Sequence, residues 1–341
     1  MPKSKNVHLG DIAAAAGVNV STVSSVLGGH ADKRRISKIL QQKVLAAADE
    51  LGYRPNLLAQ SLRSGKSRLL GLILPDLSST VYADTCRTVT EFAAKANFRV
   101  IICILGNNDN HESLVEQLVD YQVEGIVIVP NTKMKIALFR ALEHSGIPFV
   151  LADRSITGVN TFQVVPDNFQ TGYIATEYLI SKGLERIAVI VGTPELNSMK
   201  ERLAGFEAAM KKHDVRLRPP FIRIVQGDNF DLAVHDSIDN LLEWRPPIDG
   251  IAILCRTAFA PAIEQLNKRG IKIPSDMKIV GIDIPPFPAL LNPAIAAIKI
   301  DEIEIAKRAF EHLMSLIAGE ARPPDAVIET VPVVLRTTPL N

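Results

Sequence analysis

Two sets of residues in this 341-residue chain have types and spacing that could do chemistry. The first is Ser21, Thr22, Ser24 and Ser25 on one short helical stretch, followed closely by Lys33, Arg34 and Arg35. Small hydroxyls followed by cationic side chains suit phosphate oxygens and base edges. The second is a series of polar groups, most of them directly after an apolar run: Asp76 to Tyr82, Asp153-Arg154, Asp167-Asn168, Met199 to Arg202, Arg256-Thr257 and Asp283. Polar groups placed beyond apolar strands suit a small-molecule site. Neither set suggests catalysis. The turn after the first apolar run reads PDLSST rather than a Gly-rich phosphate loop, and no G-x-S-x-G elbow occurs. The seven histidines show no metal-ligand spacing, so no cofactor or metal is expected.

The elements that must hold the first set read as a helix-turn-helix over 9–28. Apolar residues recur at Leu9, Ile12, Ala13 and Ala16, and Gly17 breaks the helix. Asn19 can cap a second helix carried by Val20, Val23, Val26 and Leu27, which would expose Ser21, Ser24 and Ser25 to a major groove. A bland helical hairpin would show the same spacing. Ser37 can cap a third helix, with Leu40, Val44, Ala47, Ala48 and Leu51 closing a small core and Gly52 ending it. Between the last two helices lies GGHADKRRI, either a solvated turn or a phosphate-contacting loop. Next comes YRPNLLAQSLRSGKS, Tyr53–Ser67, a helical stretch too short to be stable alone. Residues 1–68 hold eleven Lys or Arg against four Asp or Glu, while the remainder holds 27 against 33. A basic head on a mildly acidic body points to a polyanion partner for the head.

From Leu69 the apolar runs LLGLIL, FRVIICIL, GIVIVP and IPFVLAD alternate with helical stretches, and RIAVIVG, DGIAILC and KIVGID continue the series. Repeated βα units with fully apolar strands imply parallel sheets covered on both faces, here in two lobes that part near Val165–Asn168. Three scattered cysteines without zinc spacing suit reduced, buried thiols. No apolar run reaches membrane-spanning length and no signal-peptide pattern opens the chain, so a cytoplasmic protein is expected.

The ordered series DIAAAAGVNVSTVSSVL, KVLAAADELGYRPNLLAQSLRSGKS, GLILPDLSS, VEGIVIVP, GIPFVLADR, DNFQTGYIATEYLISKGLERIAVI, ERLAGF and GIKIPSDMKIVGID resembles the lactose repressor (LacI/GalR) family of bacterial transcription regulators over nearly the whole chain. The turn GGHADKRRIS, with TPELNSMKERLAGF and TAFA, is similar to the fructose repressor (catabolite repressor-activator) branch, whose effectors are sugar phosphates.

The resemblance implies a small all-α helix-turn-helix head plus an α/β, two-lobed, periplasmic-binding-protein-like effector domain with parallel sheets. It divides the chain into a DNA-binding domain at 1–53, a hinge-helix linker at 54–68 and an effector and dimerisation domain at 69–341. Lobe 1 is expected at about 69–165 plus 291–325, and lobe 2 at about 166–290 plus 326–341. Val20, Ser21 and Ser25 stand where the family reads base edges. Ser21, Thr22, Ser24, Arg34 and Arg35 are expected on phosphates. Tyr53 and, in the hinge, Asn56, Ala59, Leu62 and Arg63 are also expected to bind DNA, with Leu62 wedging into a base step. Two departures matter. Ser25 replaces a common arginine, so the bidentate guanine contact, worth about 1–3 kcal/mol of discrimination, is missing. Leu40-Gln41 replaces a frequent Thr-Arg pair, removing a phosphate contact.

For the cleft, the resemblance assigns ligand contact to Arg202 and Asp283. Asp76, Tyr82, Asp153, Arg154, Asn168, Lys200 and Arg256 complete the expected site. Arg256-Thr257 replaces a common Asn-Asp pair and puts a second guanidinium near Arg202, which suits a sugar phosphate or sugar acid. The competing reading pairs Arg256 with Asp283 or another cleft carboxylate. The expected protein is a homodimeric regulator, most simply a repressor of carbohydrate metabolism. Its partners are a near-palindromic double-stranded operator and a sugar-like effector, with no membrane. The rivals are a sugar-binding transport protein and a sugar-processing enzyme with an appended helical domain.

Overall fold

The computed structural model describes residues 7–53, 65–77, 80–105, 111–131, 134–227, 229–283, 295–320 and 327–336. Two units separate, Met1–Ser67 and Arg68–Asn341. In the head, α1 (Leu9–Ala16) begins where Asp11 accepts from the His8 amide at 2.7 Å. It stops at Gly17, whose φ of 63° is the left-handed conformation that glycine adopts without a Cβ penalty. After a tight turn, α2 (Val20–Leu27) starts at Asn19 by position only. The Asn19 carbonyl accepts from the Thr22 and Val23 amides, while its side chain makes no cap bond. Ser37 does cap α3 (Lys38–Glu50), accepting from the Leu40 amide. Ile12, Ala13, Ala16, Val23, Val26, Val44, Ala47 and Ala48 form the expected core, joined by Ala31 from the α2–α3 loop. Leu51 is instead exposed, because it lies beyond the last helical turn.

The larger unit contains two six-stranded sheets. In the first, β1 (Leu69–Leu74), β2 (Arg99–Ile104), β3 (Gly125–Ile128), β4 (Phe149–Ala152) and β5 (Phe162–Pro166) are interleaved with α4 (Thr80–Lys95), α5 (His111–Asp120) and α6 (Ile136–Ser145). The second contains β6 (Ile187–Gly192), β7 (Ile222–Val225), β8 (Gly250–Ile253) and β9 (Lys278–Ile282). Its helices are α7 (Asn168–Ser181), α8 (Asn197–Lys212), α9 (Phe230–Leu242) and α10 (Phe259–Lys268). After β10 (Ala296–Lys299) come α11 (Glu302–Ile317), β11 (Val327–Val331) and β12 (Val334–Arg336).

The sheet orders are β11-β5-β4-β3-β1-β2 and β12-β10-β9-β8-β6-β7. All neighbours are parallel except β12, which runs antiparallel to β10. The first crossing between lobes falls at Asp167, inside the expected break. The other two lie further along the chain than expected. Strand β10 pairs with β9, so lobe 2 continues to Ile300 before α11 returns to pack on lobe 1. Strand β11 pairs with β5 in lobe 1, and the chain recrosses only at Pro332–Val333. Boundaries at 291 and 326 therefore move toward the C-terminus. An apolar run announces a strand, but which sheet accepts it is decided by the neighbour it pairs with, which for β11 is far away in sequence.

Candidate functional site

In the head, Val20 is 48 % exposed and Ser21 is exposed, while Thr22 and Ser24 are half-buried. Ser25 departs from expectation: it is 5 % exposed, and its hydroxyl donates to the Ser21 carbonyl at 2.7 Å. The loop after α2 folds back over this turn, where the His30 amide donates to the Ser25 carbonyl at 2.9 Å. A short hydroxyl can satisfy itself on the carbonyl four residues back, so nothing forces it outward. Ser25 thus supplies no base-reading group in this conformation. Arg34 and Arg35 are exposed. Tyr53 is half-buried against the head core. Asn56, Ala59, Leu62 and Arg63 lie outside the described residues.

In the larger unit, most of the expected cleft residues converge where the strands of the two sheets end. Helices α7 and α8 cross closely because Gly172 and Gly205 face each other's backbones. A Cβ on Gly172 would lie 1.9 Å from the Arg202 carbonyl, and one on Gly205 would lie 2.0 Å from the Phe169 carbonyl. That approach brings Arg202 to Asn168, the first residue of α7. Its Nε donates to Asn168 Oδ1 at 2.9 Å and its Nη1 donates to the Leu254 carbonyl at 3.0 Å. Burial, with a contribution from Arg256, pulls the Arg202 pKa down to about 10, which leaves it charged at neutral pH.

Arg256 follows β8 and is shared by two carboxylates. Its Nη2 donates to Asp283 Oδ2 and to Glu302 Oε1, both at 2.7 Å. Burial opposes its charge, but Glu302, Asp283 and Asp153 outweigh that and hold its proton more tightly than usual. Asp283 Oδ1 also accepts from the Ile300 amide at 3.1 Å. Glu302, 4 % exposed, is pushed up to about 8 by burial first and then by Asp153, against the pull of Arg256. Two carboxylates facing one guanidinium, Glu302 buried and Asp283 partly so, leave an excess negative charge that a proton on Glu302 relieves. Arg256 Nε and Glu302 Oε2 are buried without a hydrogen-bond partner. The competing reading of Arg256, pairing with a cleft carboxylate, is the arrangement the structure contains. Two carboxylates already share its Nη2, so its charge is met and it does not stand beside Arg202 as a second free anion grip.

On lobe 1, Arg154 donates to the Tyr82 hydroxyl at 3.1 Å and to the Pro130 carbonyl at 3.2 Å. Burial raises the Tyr82 pKa to about 12, with Arg154, Asp153, Arg256 and Asp76 all close enough to act on it. Asp153 and Asp283 both hold left-handed backbone, φ 67° and 42°. Asp tolerates this better than most residues, and such geometry concentrates at ligand sites. Lys200 is the exception: it is exposed, two positions from buried Arg202 and so on the other side of α8.

Sequence reasoning missed Glu302, Lys299 and Asn197. Lys299 Nζ lies 3.7 Å from Asp283, and Asn197 on lobe 2 donates to Thr157 Oγ1 of lobe 1 at 3.2 Å. The signal for Lys299 is present in the sequence, since it directly follows the apolar run AIAAI; Glu302 lies four residues past that run, at the start of α11. Among the described residues no His, Cys, Asp and Glu group could hold a metal ion, and no helix is long and apolar enough to cross a membrane.

Comparison with known proteins accords with this architecture. Residues 8–56 match the family described as bacterial regulatory proteins, lacI family, and residues 67–336 match periplasmic binding proteins and sugar binding domain of LacI family. The maltose regulon regulatory protein MalI of Escherichia coli is 34% identical over 79% of this chain and 78% of its own. The HTH-type transcriptional repressor PurR of Vibrio vulnificus is 26% identical over 90% of this chain and 91% of its own. A lac repressor dimer bound to operator and an anti-inducer has the same fold, with a TM-score of 0.83 at 21% identity over 98% of both chains. With both of its units matched in order, the chain belongs to the LacI family of DNA-binding bacterial transcription regulators.

Proposed function

We propose that this protein is an effector-controlled repressor of carbohydrate metabolism that binds a near-palindromic operator as a homodimer. The observation that carries this reading is a buried polar cluster between the two lobes, Arg202–Asn168 and Arg256–Asp283–Glu302, in a chain whose other unit is a DNA-binding head. A ligand entering there touches residues of both lobes and can favour one lobe arrangement over another. A 100-fold change in DNA affinity needs about 2.7 kcal/mol of such coupling.

The effector that this geometry supports best is hydroxyl-rich. Arg256 with Asp283 and Glu302 offers donors and acceptors together, which hydroxyl groups satisfy in both directions. A sugar phosphate or sugar acid is the second reading, and it rests on Arg202 and Lys299. The test is calorimetric titration of the full chain with neutral sugars, sugar acids and sugar phosphates, followed by operator affinity with each binder. Binding of neutral sugars with a saturable shift in DNA affinity supports the first reading. Binding of anionic sugars alone supports the second. Turnover of the ligand without any effect on DNA would reject the regulator.

A further inference from the structure

We propose that Gln41, which does not itself contact DNA, is the positioning residue that holds the basic loop between α2 and α3 ready for the phosphate backbone. The proposal rests on the DNA-binding role of the head. The loop is shaped at both ends: Ala31 is buried in the head core, and the Ile36 amide returns to the Ala31 carbonyl at 3.0 Å. Inside it, the Arg34 amide donates to the His30 carbonyl at 3.2 Å and the Arg35 amide to the Asp32 carbonyl at 3.0 Å. Arg35 sits at φ 55°, a left-handed conformation that a side-chain-bearing residue holds only when its surroundings impose it.

Gln41 supplies that constraint from the first turns of α3. Its Nε2 donates to Asp32 Oδ1 at 3.1 Å and to the Ile36 carbonyl at 2.8 Å. Both amide hydrogens are then spent, so this nitrogen has none left for a phosphate. The amide instead ties together the two flanks of Lys33-Arg34-Arg35, whose three side chains stay exposed. Ordering a free loop on DNA costs conformational entropy, and a loop ordered beforehand avoids much of that cost. The need is clear from α2, whose exposed residues are Val20 and Ser21, neither of them cationic, with Ser25 turned inward. Cationic contact next to α2 must come from its neighbours: the three side chains of this loop on one side, and on the other Lys43 of α3, whose ammonium lies beside Gly17.

The test uses the full chain and the duplex that the wild-type protein selects from random DNA. Gln41→Ala is expected to weaken binding about tenfold. It should also lower the slope of log affinity against log salt by roughly 0.9 for each phosphate that the loop no longer neutralises. Arg34→Ala/Arg35→Ala is expected to do the same, and adding Gln41→Ala to that pair should cost clearly less than it does in the wild type, the remainder being what Lys33 supplies. Asp32→Asn keeps an acceptor for Gln41 and should bind as well as wild type or better. Should Gln41→Ala unfold the head, Asp32→Ala removes one arm of the tie without touching α3, and the same non-additivity is required of it. An unchanged salt slope, or affinity losses that add to those of the arginine pair, would overturn the proposal. A wild-type chain that selects no duplex would instead reject the DNA-binding reading itself.

Discussion

Replacing Arg256 with Met should produce a stability defect whose size depends on pH. Methionine retains a long, flexible, apolar side chain but removes the cation that Asp283 and Glu302 share at 2.7 Å each. Those two carboxylates, with buried Asp153 nearby, would then keep only the exposed Lys299, 3.7 Å from Asp283, as a counter-charge. Stripping one partner from a buried ion pair costs about 3–5 kcal/mol. For a unit of this size that corresponds to a fall in Tm of roughly 6–15 °C. The sign with pH follows from where the protons sit. Without Arg256, the folded-state pKa of Glu302, already raised to about 8, rises further above its unfolded value near ~4. The contribution of protonated Glu302 is then complete below that value and is lost as pH climbs through its folded pKa. In the wild type Glu302 already stands at about 8, and Arg256 limits the penalty of ionising it. The Tm deficit of the variant should therefore be large at pH 8 and clearly smaller at pH 5, with Glu302→Gln in the same chain restoring part of it at pH 8. Differential scanning calorimetry at both pH values is the assay. An equal deficit at both, or a Tm within about 2 °C of wild type at pH 8, would refute the shared-cation account.

Other substitutions probe the remaining parts. Gly172→Ala places a methyl 1.9 Å from the Arg202 carbonyl, so α7 and α8 must separate and the Arg202–Asn168 bond must loosen. We expect a loss of at least about 3 kcal/mol in stability and a weakened effector response, read by thermal unfolding and effector titration. Gly10→Ala, with nothing within 4 Å of its added Cβ, should leave stability unchanged or raise it by up to ~1 kcal/mol. Leu62→Ala, outside the described residues, should weaken operator binding and reduce DNA bending in a gel-based phasing assay. Unchanged affinity and bend would remove the wedge role expected of it.

The sequence alone determined the helices of the head, because a 3.6-residue apolar period, a capping Ser37 and a left-handed Gly17 act within a few residues of one another. Likewise it determined two series of βα units, since strands covered on both faces must be apolar throughout. It also put forward Arg202, Asp283, Asp153 and Asn168 as candidate cleft residues through their positions in recognisable motifs, and the structure joins Arg202 to Asn168 and Asp283 to Arg256. Only the tertiary structure decided which sheet takes β10 and β11, because strand pairing joins segments more than a hundred residues apart in the case of β11 and β5. Only it turned Ser25 inward under the following loop, gave Gln41 to that loop, and spent Arg256 on Asp283 and Glu302. Each of these depends on which charges and hydrogen-bonding groups arrive from elsewhere in the chain, and local propensity carries no record of that.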